Sequence, residues 1–101
     1  MKYNKKILQL LYGQIEEEQN KLEDEKFKQQ FLFVCKQEYI SQMEIIAAIM
    51  NTIYHLLMSN QLLRALRYVV ILSATINNLK QNVDQECKIK SADFFHCQWC
   101  T

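Results

Sequence analysis

The chain of 101 residues contains no proline and a single glycine, Gly13. Hairpin turns, bulges and phosphate-cradling loops rely on glycine for a positive φ and on proline for a fixed one. Without them a β-rich or nucleotide-binding fold has no turns, so the predicted class is all-α: a small bundle of three to four helices with a central antiparallel helical hairpin. A chain this short cannot divide its core and still bury enough apolar area in each half, which predicts one domain over 1–101. Within it the residue pattern separates a long charged first helix (1–40), an apolar helical hairpin (41–83) and a tail rich in cysteine and aromatic residues (84–101).

In the first of these segments Leu8, Leu11, Ile15 and Leu22 recur at helical spacing, with Glu18 inside the same stripe. From Glu16 to Gln30 the residues are nearly all Glu, Gln, Lys and Asp, good helix formers apart from Asp, and pairs such as Glu17 with Lys21 support a solvated helix. The run from Phe31 to Cys35 is apolar on every side and predicts burial on every side. Ser41-Gln42-Met43-Glu44 fits a capping box and predicts a helix start at or near Ser41. That helix carries Ile45, Ile46, Ile49, Met50, Ile53, Leu56 and Leu57 and ends at Met58 to Asn60.

Ser59-Asn60-Gln61 is the best turn in the chain, since Asn tolerates the left-handed conformation at a helix end. So short a loop predicts antiparallel helices on either side. The second helix of the hairpin reads as a four-three seam of Leu62, Leu66, Val69, Ser73, Ile76, Lys80 and Val83, broken by the serine and the lysine. Apolar residues fall outside that seam, above all between Tyr68 and Leu72, and something beyond the hairpin has to cover them.

With 12 basic and 11 acidic residues the formal net charge is +1, too small a surplus to neutralise many phosphates, so no nucleic acid is expected as a partner. The apolar stretch from Ile45 to Ile76 is interrupted by Asn51, His55, Ser59, Asn60, Gln61, Arg64 and Arg67, which leaves no membrane-spanning run and makes membrane contact the less favoured choice. Lys2, Lys5 and Lys6 precede only a short apolar stretch with no cleavage pattern after it. The expected location is intracellular, with a mitochondrial one as the alternative.

Chemistry-bearing residues are few. Cys97-x2-Cys100, preceded by His96, has metal-ligand spacing, and a zinc site would be completed by Cys87; no second closely spaced pair supports it. Free thiols in a reducing compartment are the leading expectation for the four cysteines, and two disulfides, in any of three connectivities, the alternative. Cys87 and Cys97 have a spacing similar to that in helical hairpins of mitochondrial intermembrane-space proteins, where two such pairs face each other; one such pair stands here. Leu10-Leu11-Tyr12-Gly13 faintly resembles the Leu-Tyr-Arg start of small mitochondrial assembly proteins, with Gly13 in place of the arginine. His55, among Ile53, Tyr54, Leu56 and Leu57, reads as a partly buried structural histidine, and no nucleophile and base stand together.

The sequence therefore predicts a protein that is not an enzyme and takes no cofactor: a helical structural or adaptor subunit that docks through its apolar hairpin onto protein partners or further copies of itself. Ile49, Ile53, Leu66, Tyr68, Val69 and Trp99 are its predicted interaction anchors. The alternatives are a disulfide-stabilised helical protein of an oxidising compartment, and an accessory subunit of a membrane complex of mitochondrial type.

Overall fold

The computed structural model describes residues 2–93. They form four helices and no strand: α1 (Lys2–Leu22), α2 (Glu25–Val34), α3 (Gln37–Met58) and α4 (Leu62–Asp93). The fold is the small all-α bundle that the missing glycines and prolines require. Helix α4 is its axis and packs against the other three.

The seam of α4 explains this arrangement. Leu62, Ala65, Val69, Leu72, Ile76, Leu79, Val83 and Cys87 are all buried, a three-four repeat from Leu62 to Val83 with a last step of four to Cys87. Every seventh position of the expected seam is right, and the positions between are displaced by one residue. Leu66 and Ser73 lie outside the core, and Ala65 and Leu72 take their places.

Lys80, the third displaced position, has a different task. Its Nζ donates to the Lys21 carbonyl at 3.0 Å and lies 5.6 Å from the Phe27 ring centre. Ten residues later Lys90 repeats the device, donating to the Phe33 carbonyl at 2.6 Å over the Phe33 ring. Two lysines of α4 thus satisfy backbone carbonyls at the C-terminal ends of α1 and α2, where cations are favoured by the helix dipole. Lys21 beside Lys80, Gln30 beside Asp84 and Phe33 beside Lys90 set α1 and α2 parallel to α4.

The single long first helix expected over 1–40 is two helices and the start of a third. Asp24, the poor helix former in its charged stretch, breaks it by accepting the Phe27 amide at 3.0 Å as the cap of α2. Cys35 ends α2 in the left-handed conformation, φ 48°, with its amide bonded to the Phe31 carbonyl at 2.9 Å. Helix α3 therefore begins at Gln37, and Ser41 is an exposed residue inside it, not its cap.

The hairpin turn is where the sequence put it. Asn60 is left-handed, φ 59°, the Gln61 amide reaches the Leu56 carbonyl at 2.8 Å and the Asn60 amide the Leu57 carbonyl at 3.1 Å. This double closure is the Schellman arrangement. Beyond it α3 and α4 run antiparallel, with Tyr39 Oη donating to the Asn82 carbonyl at 3.4 Å and Lys36 paired with Glu86 at 2.7 Å.

Candidate functional site

Helix α3 and the α1–α2 pair both lean on α4 and barely touch each other. Three helices in mutual contact at axis separations of 8–10 Å would span about 15 Å across their bundle. Here the Cα extents are 58 × 21 × 14 Å, and the wider transverse dimension reflects an open side.

That opening is a groove of about 780 Å³. One wall is Leu22, Phe27, Phe31 and Leu32, the other Met43, Ile46, Ala47 and Met50. Gln19 Nε2 donates to Tyr54 Oη at 3.1 Å, a bridge between α1 and α3 that ties the two walls together. On the rim Lys28 and Glu23 pair at 3.0 Å, and this contact holds the Lys28 ammonium above its ordinary value of 10.5. The rim charges cancel, so the groove offers shape and apolar surface rather than a charged recognition group.

The apolar run from Phe31 to Cys35 helps to build this groove instead of filling a core. Only Val34 is buried; Phe31 and Phe33 are half-buried, Leu32 is 68% exposed and Cys35 is exposed. Of the excess between Tyr68 and Leu72, Val69 and Leu72 enter the core while Tyr68, Val70 and Ile71 stay on the surface. The cover that this excess called for is absent from the described residues.

The predicted anchors therefore divide. Ile53 and Val69 are buried inside the bundle and hold it together, which corrects their assignment as docking residues. Ile49 is half-buried, Leu66 and Tyr68 are exposed, and Trp99 lies outside the described residues. Of the side chains that shape the groove, Met50 was read on the apolar helix face and Met43 only within the capping box; the signal for the groove was the small Ala47 between two methionines.

His55 is exposed, not a partly buried structural residue. Cys87 is buried and disulfide-bonded, and Cys35, free and exposed, is not its partner. The bonded Cys87 differs from the free thiol that the sequence suggested. His96, Cys97 and Cys100 lie outside the described residues. Among the described residues no three His, Cys, Asp or Glu side chains are grouped to hold a metal ion, and no helix is long and apolar enough to cross a membrane.

A second hollow, between α1 and α4, contains the one buried carboxylate among the described residues. Glu18 is 6% exposed in the core stripe, with Oε1 bound by Lys21 at 2.8 Å and Oε2 without a hydrogen-bond partner. Lys21 also reaches Asn77 at 3.2 Å, so its charge is shared between α1 and α4. No family model, curated protein or solved structure matches the chain.

Proposed function

We propose that this protein is a non-catalytic helical adaptor or structural subunit, which receives an amphipathic helix of a protein partner in the groove between α1–α2 and α3. The observation that carries this reading is the groove itself, with apolar walls from separate helices tied by the Gln19–Tyr54 bridge. Met43 to Met50 is two turns of α3, about 10 Å of wall. A helix presenting apolar residues at i, i+3, i+4 and i+7 matches that length. Methionine on one wall adapts to the shape of such a ligand, and Ala47 leaves room for one large side chain. Leu66, Tyr68, Val70 and Ile71 extend the apolar surface onto the outer side of α4, in keeping with an assembly that contacts more than one face.

The test is an apolar fluorescent dye together with sedimentation of the purified chain. The proposal expects dye binding, self-association of the unpartnered chain, and a large loss of the dye signal in Ala47→Arg with helix content unchanged. A monomer that binds no dye contradicts it.

A second reading, a disulfide-stabilised helical protein of an oxidising compartment, is favoured by the bonded state of Cys87. It predicts two titratable thiols per chain under non-reducing denaturation, since one disulfide consumes two of the four cysteines. Four free thiols eliminate it.

A further inference from the structure

The two ends of the bundle differ in charge. No acidic residue precedes Glu16, and none stands between Glu44 and Asp84. The parallel course of α1 and α4 brings these two acid-free stretches to one end, where Ile7 shares a hollow of about 520 Å³ with Asn60 to Arg64. Lys5, Lys6, Arg64 and Arg67 are all exposed there, and none makes an ion pair with a described residue.

Elsewhere the described lysines are engaged: Lys21, Lys28, Lys36 and Lys88 are paired with carboxylates, Lys80 and Lys90 bind carbonyls, and Lys26 is not without a partner. Arg64 donates to Gln61 Oε1 at 3.2 Å, and none of the four cations has a carboxylate partner among the described residues. The N-termini of α1 and α4 both lie at this end, neither has an acid in its first turn, and the positive end of a helix dipole repels lysine and arginine. At the same end the turn carries two of the most exposed apolar side chains among the described residues, Met58 at 85% and Leu63 at 76%.

We infer that this end of the rod binds an anionic phospholipid surface, with Met58 and Leu63 entering the headgroup layer and Lys5, Lys6, Arg64 and Arg67 meeting the phosphates. An apolar tip with cations at the same end is what interfacial attachment needs, because insertion and electrostatic attraction then act together. Nucleic acid would reward the cations and leave Met58 and Leu63 in water. The helices remain outside the hydrocarbon, in agreement with the lack of any spanning helix among the described residues.

The full chain is sedimented with vesicles of pure phosphatidylcholine and with vesicles that also contain phosphatidylserine. The inference expects binding to the second kind only, weakened by added salt. Neutralising Lys5, Lys6, Arg64 and Arg67 to Gln lowers partitioning by roughly five-fold per charge. Met58→Ser with Leu63→Ser also lowers it, while circular dichroism shows both variants folded. Equal binding to neutral vesicles overturns the inference, as does no binding to either. Retention of full binding by the serine variant refutes tip insertion, and equally tight capture by poly-glutamate assigns the four cations to an acidic protein instead.

Discussion

Replacing Glu18 by leucine should make the protein more stable. Glu18 occupies a core position of α1 between Ile15 and Leu22, is 6% exposed, and leaves Oε2 without a partner. A buried polar atom in that state costs about 1–3 kcal/mol, and more when it carries charge. Leucine removes this cost and adds apolar contact worth about 1 kcal/mol beyond the stem that glutamate already buries. The loss is the contact with Lys21, an i,i+3 pair whose lysine is a third exposed, worth under about 1 kcal/mol. Lys21 keeps its bond to Asn77. The net expectation is a gain of at least about 1 kcal/mol, and each kcal/mol raises Tm by about 4–8 °C in a domain of this size. Urea denaturation followed by far-ultraviolet circular dichroism reads it as a higher midpoint at unchanged slope. A variant less stable than the parent by about 1 kcal/mol or more refutes the reasoning, because the carboxylate would then be contributing a satisfied interaction.

Three further outcomes follow from local geometry. Gly13 is exposed within α1 and a Cβ there meets nothing within 4 Å, so Gly13→Ala should stabilise by about 0.5–1 kcal/mol in the same assay; no change would show that α1 does not extend through this position. Cys35 holds a left-handed conformation at φ 48°, and Cys35→Gly should relieve about 0.5–1 kcal/mol of strain, whereas a loss of stability would deny that backbone geometry. Stability should also fall at both extremes of pH. Lys88 first, and Gln30 with it, hold the Asp84 carboxyl below its ordinary 3.8, so their contribution is present above that value and is lost as pH falls through the lower folded one. Burial raises the Tyr39 phenol above 10.0, so its neutral form supports the fold up to that pH and stability declines as pH climbs further. Denaturation midpoints against pH check this, with Asp84→Asn expected to flatten the acid limb and leave the alkaline one.

The helical class and the hairpin turn were legible because each rests on a local rule. A single glycine and no proline leave sheet turns without their usual residues, and Asn60 accepts the left-handed backbone that Schellman closure needs. The seam of α4 was half legible. Leu62, Val69, Ile76 and Val83 follow from the heptad, but Leu66, Ser73 and Lys80 were placed between them where Ala65, Leu72 and Leu79 belong. The polar serine and lysine carried the correction, since a seam shifted by one residue at those steps is apolar throughout. Asp24 was also visible as the weakest helix former in its stretch, and capping made it a break. Cys35 was not legible: nothing about cysteine favours a left-handed turn, and the packing of α2 and α3 on α4 imposes it. The groove could not be read either, because it depends on how far apart two non-consecutive stretches settle on a third.

The most direct test of the account is a photocrosslinking residue placed at Ala47 in the groove, compared with one at Asn78 on the exposed side of α4, in cells that express the full chain. A partner helix in the groove predicts one dominant adduct from position 47, mapped to the apolar face of a helix in the captured protein, lost when Met50→Asp is added and absent from position 78. Equal, diffuse labelling at both positions, or an adduct indifferent to Met50→Asp, would contradict the groove as the docking site.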